Sequence, residues 1–199
     1  MNENKTLQMQ WNLRSEKQKV YWFESAFNEE EIQKIKDIGE KIQFEDGTVF
    51  NQIDPKNVRL SSVAWINANP DSEWLFKKLV DLVLHVNSIN FNLSIVGIEA
   101  LQFTVYESSV NGFYGIHTDV FPQSINYLNR KISFTIQMSD PSEYEGGELI
   151  IEPLNEVIES KKTKGSITFF ESTERHQVKP VTKGVRYALV GWVSGPAIT

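Results

Sequence analysis

The chain of 199 residues contains no cysteine. That absence excludes a disulfide scaffold, a thiolate zinc site, a cysteine-held iron–sulfur cluster and a cysteine nucleophile. Histidine is scarce as well. There are three, so any imidazole chemistry must be carried by His85, His117 and His176. No apolar run reaches the ~18 residues that a membrane helix requires, so no membrane partner is expected. The first 18 residues are polar and mixed in charge, without the apolar stretch of a secretory leader, and the expected location is cytoplasmic. Positive charge is in deficit, with 20 Lys and Arg against 26 Asp and Glu, a net charge of −6. A nucleic-acid partner is therefore not expected, since phosphate contacts need a positive field.

What is present describes a globular protein. Hydrophobic residues make up 40% and charged residues 23%, which excludes disorder, collagen and coiled coil. A chain of this size buries roughly 70% of its unfolded surface and needs no covalent staples. No repeat, low-complexity stretch or compositional shift divides it. The expectation is a loose arm over 1–19 and one domain over 20–199.

Two helices are expected early. Asn28 followed by Glu31 forms a capping box, and Ile32, Ile35, Ile38 and Ile42 mark the apolar face of a helix over about 29–41. Pro70-Asp71-Ser72 opens a second, running to about Ser88, with Leu75, Leu79, Leu82, Val83 and Val86 on one stripe. Val20–Phe23 and Val58–Ile66 read as strands, with a hairpin signal at Asp46-Gly47 between them. After residue 90 the chain reads as strands alone, over 95–106, 113–118, 130–138, 147–152, 166–171 and 185–193. Asn111-Gly112, Asp140-Pro141, Gly146-Gly147, Lys164-Gly165 and Lys183-Gly184 separate them. Two helices before a run of short strands point to an α+β, mainly β fold of sandwich, jelly-roll or barrel type.

His85 sits in the second helix without ligand-type neighbours and reads as an ordinary helix residue. His117 is different. In a strand, residues i and i+2 share a face, so His117 and Asp119 can aim a nitrogen and a carboxylate at one point. That pair alone is common by chance. His176, several strands later, is the third candidate. Two imidazoles and a carboxylate on one face of a metal, with positions left open, is the ligand set of non-haem Fe(II) oxygenases. Arg186 follows ten residues after His176 among Val185, Tyr187, Leu189 and Trp192. A guanidinium in such surroundings demands an anionic partner, and a dicarboxylate held by a bidentate pair would supply it.

At these residues the sequence resembles the Fe(II)- and 2-oxoglutarate-dependent dioxygenases, in the prolyl 4-hydroxylase-like, PKHD-type hydroxylase branch. The resemblance runs from about Leu101 to Pro196. It rests on Leu101 to Tyr106, Phe113 to Asp119, Arg130-Lys131-Ile132-Ser133, Glu145-Gly146-Gly147-Glu148, His176-Gln177-Val178-Lys179-Pro180-Val181 and Gly184 to Trp192. It implies a double-stranded β-helix, a jelly roll around the metal, buttressed by the N-terminal helices. It implies His117, Asp119 and His176 as iron ligands and Arg186 as the holder of the distal carboxylate of 2-oxoglutarate. Tyr106 occupies a tyrosine position near the cosubstrate, Gln102 shares its strand face, and Trp192 matches an aromatic beside the site. A second polar partner of the distal carboxylate falls within Thr135 to Gln137. The implied cofactors are Fe(II), 2-oxoglutarate and O2, with ascorbate as an auxiliary reductant. The implied reaction is hydroxylation of an unactivated C–H bond, of a prolyl residue for instance, with release of succinate and CO2. The presence of Asp119 argues against a halogenase. The primary substrate is a peptide, protein or small molecule, and Val120 to Asn129 with the N-terminal arm are expected to shape the mouth. A cupin-like metal enzyme that does not use 2-oxoglutarate, and a non-catalytic binding module, stay open as alternatives.

Overall fold

The computed structural model describes residues 18–47, 58–120, 128–153 and 156–197. Strand β1 (Val20–Phe23) leads to helix α1 (Glu29–Gly39), then β2 (Glu45–Asp46), β3 (Arg59–Leu60) and β4 (Ser62–Ile66). Helix α2 (Glu73–Val86) follows, extended by a π-helical turn over Asn87–Phe91. The remaining strands are β5 (Gly97–Ile98), β6 (Leu101–Glu107), β7 (Phe113–His117), β8 (Leu128–Gln137), β9 (Tyr144–Gly146), β10 (Leu149–Glu152), β11 (Ile158–Glu159), β12 (Ile167–Glu171), β13 (Arg175–Val178) and β14 (Val181–Pro196).

These strands form two antiparallel sheets. The major sheet runs β1-β12-β8-β14-β6-β4-β2, with β5 and β9 also paired to β14. The minor sheet runs β11-β10-β13-β7-β3. Chain and sheet order interleave, as expected of a jelly roll.

Strand alternation gives the major sheet two different faces. One carries Leu101, Phe103, Val105, Ile132, Phe134, Ile136, Ile167, Phe169 and Leu189, all in one buried cluster with the helices. Helix α1 adds Ile32 and Ile35, and α2 adds Leu75, Leu79, Val83 and Val86. The start of α1 is fixed by the expected capping box: the Asn28 side chain accepts from the Glu31 N–H, and the Glu31 carboxylate accepts from the Asn28 N–H. The other face looks toward the minor sheet and carries Gln102, Tyr106, Ser133, Thr135, Arg186 and Trp192. Cross-strand register aligns them: Arg186 stands opposite Tyr106, Val190 between Gln102 and Thr135, and Trp192 opposite Ser133.

Several expectations are corrected. Val58–Ile66 is not one strand: the chain breaks at Ser61, giving β3 to the minor sheet and β4 to the major one. The strand expected over 95–106 is interrupted between Ile98 and Leu101. Lys183-Gly184 does not end a strand. Gly184, at φ 70°, lets β14 continue through an irregularity, and a Cβ there would collide with the Glu143 carbonyl. Strand β13, which carries His176, has no signal in its Arg-His-Gln-Val sequence. Of the expected arm, residues 1–17 lie outside the described residues. Gln18 is anchored, its backbone N–H and C=O both hydrogen-bonded to the Asn90 side chain. Most of the expected mouth loop, 121–127, is also outside the described residues.

Candidate active site

The minor sheet supplies the two histidines. His117 ends β7 and stands directly opposite His176 on β13. Both rings are held alike: His117 Nδ1 lies 2.8 Å from the Gly115 carbonyl, and His176 Nδ1 3.0 Å from the Glu174 carbonyl. A carbonyl only accepts, so each Nδ1 carries the proton and each Nε2 presents a lone pair inward. Asp119, two residues beyond His117, is tied down by its own N–H donating to the Ser172 carbonyl at 2.9 Å. Its Oδ1 lies 3.6 Å from His117 Nε2 and its Oδ2 3.4 Å from His176 Nε2. Among the described residues these three form the one group able to hold a metal, their ligating atoms lying within 4.8 Å of one another.

The major sheet orients the carboxylate. Ser133 Oγ donates to Asp119 Oδ2 at 2.7 Å, and Ser172 Oγ lies 2.9 Å from Ser133 Oγ. The Trp192 indole N–H is buried and leans toward Asp119, favouring its charged form without reaching hydrogen-bond geometry. Arg130 covers the indole at 3.8 Å and is forked onto Glu99. Burial alone would raise the Asp119 carboxyl. The two imidazoles, Ser133 and Trp192 outweigh it and hold the group below its ordinary value. Burial, with His176 close by, pushes His117 down to about 4, so its ring is neutral at physiological pH, as a metal ligand must be.

Arg186 is 3% exposed, and its Nη1 is buried without a hydrogen-bond partner among the described residues. It shares a face of β14 with Val190 and Trp192, which line the cavity at the triad. Its guanidinium lies 5.6 Å from the centre of the Tyr106 ring. Gly147, at φ 64°, makes room for it, since a Cβ there would sit 3.0 Å from Arg186 Cδ. A buried guanidinium with an unpartnered N–H, on the sheet face that carries the cavity's lining, fits the carboxylate of a ligand.

Every site residue expected from the sequence thus faces this interior. The ambiguous Thr135–Gln137 stretch resolves by strand parity. Ile136 joins the helix-side core, Thr135 lines the cavity, and Gln137 donates to the Tyr144 hydroxyl. His85 is exposed on α2 and packs beside Phe23. Three polar contributors were not anticipated from the sequence: Ser133, Ser172 and Arg59. Period two from Trp192 could have found Ser133 only once the β8–β14 register was known. A wider groove along α2, lined by Ala68, Pro70, Phe76 and Val80, lies away from the triad and holds none of its residues.

Comparison with known proteins agrees with this geometry. Residues 101–194 match the 2OG-Fe(II) oxygenase superfamily. A PKHD-type hydroxylase of Crocosphaera subtropica is 34% identical over 179 residues, covering 87% of this chain and 78% of that protein. Another, of Gloeothece citriformis, is 29% identical over 178 residues, covering 87% and 77%. Among solved structures, a Pseudomonas putida prolyl-4-hydroxylase superposes with a TM-score of 0.71 at 15% identity, covering 91% of this chain and 94% of that one. A prolyl hydroxylase of Trichoplax adhaerens, in complex with a peptide fragment of hypoxia inducible factor, gives 0.72 at 19% identity, covering 88% and 83%. The chain belongs to the 2OG-Fe(II) oxygenase superfamily and, within it, to the PKHD-type hydroxylases. It is an Fe(II)- and 2-oxoglutarate-dependent hydroxylase that uses O2.

Proposed function

We propose that His117 and His176 hold the iron through Nε2, that Asp119 holds it through its carboxylate, and that Arg186 receives the distal carboxylate of 2-oxoglutarate. The observation that carries this reading is the buried, unpartnered Arg186 Nη1 on the same sheet face as the residues around the triad. A cupin-like site without 2-oxoglutarate has no task for that guanidinium.

When bound, iron, 2-oxoglutarate and O2 supply an oxidant able to hydroxylate an unactivated C–H bond, with succinate and CO2 as co-products. This chain's residues orient and enclose that chemistry. The Nδ1–carbonyl hydrogen bonds fix both imidazoles in the ligating tautomer. Ser133 holds the Asp119 carboxylate with the Trp192 indole beside it, and Arg186, on the same sheet face, receives the far carboxylate of the dicarboxylate. Tyr106 lines the cavity at the triad, and Leu149, Phe170 and Val178 give it apolar walls. The substrate is read as a prolyl group carried by a peptide or a small molecule, which rests on the prolyl hydroxylases among the solved neighbours.

The test is anaerobic Fe(II) titration followed by succinate release. One iron per chain is expected, lost in His117→Ala and His176→Ala and retained in His85→Ala. Full iron binding by the 176 variant would break the assignment.

A further inference from the structure

A second arginine lines the cavity. Arg59 on β3 is 4% exposed, as deeply buried as Arg186, and stands beside the triad. Its guanidinium lies 4.5 Å from the centre of the Tyr114 ring, and that ring is stacked on His117 at 3.6 Å, so one aromatic ring separates the charge from a ligand-type histidine. Its partners are neutral: Nε donates to Ser61 Oγ at 2.7 Å and Nη2 donates to Gln102 Oε1 at 2.8 Å. Among the described residues no carboxylate pairs with it. A buried cation satisfied only by neutral acceptors lacks its counter-charge.

The Gln102 contact adds a second donor. A guanidinium only donates, so Gln102 must turn Oε1 toward Arg59, where Thr104 Oγ1 also reaches it at 3.3 Å. The amide NH2 is thereby turned away from Arg59, on a side chain that lines the cavity. Arg59 and Gln102 together therefore offer N–H groups and one positive charge, the complement of a carboxylate.

2-Oxoglutarate does not answer that demand. One of its carboxylates belongs at the metal and the other at Arg186. Arg186 stands opposite Tyr106, whereas Gln102 lies four residues away along β6, ~13 Å of strand, at the level next to Trp192. The charge beside Tyr114 is left for the other substrate.

We propose that Arg59 and Gln102 form an anion subsite for the primary substrate, which therefore carries a carboxylate close to the carbon that is hydroxylated: a free amino acid or a chain-terminal residue rather than an internal one. The proposal rests on the hydroxylase reading above and narrows its substrate class. Under it, Arg59 is a specificity-determining residue and takes no part in the chemical step.

The test is 2-oxoglutarate-coupled succinate release by the iron-loaded wild-type protein. The panel contains the twenty free L-amino acids and short peptides ending in proline, each compared with its carboxamide. Acids are expected to stimulate turnover, and their amides to fall on the order of 100-fold in kcat/KM. In Arg59→Met the acid–amide difference collapses, and Arg59→Lys restores part of it. The KM for 2-oxoglutarate is expected to move less than about threefold in Arg59→Met, against the large rise expected of an alanine at 186. Equal response to acids and amides, or no response to any acid in the panel, overturns the proposal. So does a 2-oxoglutarate KM that rises in Arg59→Met as in Arg186→Ala, which would place Arg59 in the cosubstrate site. Loss of iron binding or of 2-oxoglutarate turnover in the wild type would instead sink the hydroxylase assignment.

Discussion

Ser133 and Phe134 are neighbours on β8, and they serve different halves of the molecule. Phe134 points to the helices and is fully buried among apolar side chains. Ser133 is as fully buried, but it points to the triad and donates to Asp119. The same division holds on the strands around the triad, with Phe103 between Gln102 and Thr104 and Ile136 between Thr135 and Gln137. One face contributes stability through apolar burial. The other carries the polar groups at the triad, beside a smaller apolar cluster that includes Tyr106 and Phe170. Burial alone therefore does not say what a residue is for in this protein; the face it occupies does.

That division is breakable by experiment. The largest effect is expected on the polar face at the triad. Asp119→Asn keeps the size of the side chain and removes the anionic ligand, and should cut iron affinity and turnover to near background. Normal turnover would mean that the carboxylate points elsewhere. Next comes Arg186→Ala. Losing the partner of a buried ion pair costs ~3–5 kcal/mol, so the KM for 2-oxoglutarate should rise on the order of 100-fold or more while iron content stays full. Arg186→Lys keeps the charge without the planar fork and should lie between.

The sharpest comparison is the neighbouring pair. Ser133→Ala should weaken iron binding by roughly 10-fold or more, as loss of a hydrogen bond that orients a metal ligand does, with little change in melting temperature. Phe134→Ala should do the reverse. It is expected to cost ~3–5 kcal/mol of stability, roughly 10 °C in Tm, with iron affinity per folded molecule preserved. Calorimetry and metal titration on both variants decide it, and a Phe134→Ala protein that folds normally but loses iron would dissolve the distinction.

The smallest effect lies farthest from the site. Asn28→Ala removes the cap of α1 and should cost ~1 kcal/mol, about 2–4 °C in Tm, with kcat and KM unchanged. Glu31 completes that cap and pairs with Lys78 at 2.6 Å. Burial would raise its carboxyl, but Lys78 and the Asn28 N–H outweigh it and lower the pKa below 4.5. A depressed carboxyl stabilises the fold above its unfolded value and loses that contribution as pH falls through the folded one. Glu31→Gln should therefore be less stable than wild type at pH 7 and converge with it as pH falls through the lowered value of the folded state. A gap that persists in acid would assign the effect to packing.

Much of this is legible in the sequence, for identifiable reasons. Strand period two placed His117 with Asp119, and Gln102 with Tyr106, because parity survives errors of boundary. The apolar crowd around Arg186 announced a buried cation, and the structure bears that out. The capping box at Asn28 is local chemistry and needs no tertiary information. What escaped notice was decided by pairing between distant strands. Arg59 stands between Val58 and Leu60 in what reads as one continuous strand to Ile66, with nothing in the sequence to set it apart. Its burial follows from the break at Ser61, which no glycine or proline marks and which sends β3 across to Tyr114 on β7. The β13 strand escaped because Arg-His-Gln-Val has no apolar alternation. Its strand character comes from the two neighbours it pairs with, β7 and β10.

Strand parity also constrains how this chain can change length. Arg186 and Trp192 are an even number of residues apart on β14, as are Gln102 and Tyr106 on β6. A single residue gained or lost between either pair would turn one member out of the cavity and a large apolar side chain into it. Such a step removes a polar side chain from the interior between the sheets and opens a hole in the helix-side core in one event. Two residues together would restore the phase, at the cost of shifting every partner on the adjoining strands. Strand β14 already absorbs irregularities at two places, between Val181 and Lys183 ahead of Arg186 and between Val193 and Ser194 beyond Trp192. Viable descendants of this sequence should therefore accept insertions and deletions between strands, and keep the interval from Arg186 to Trp192 at its present count.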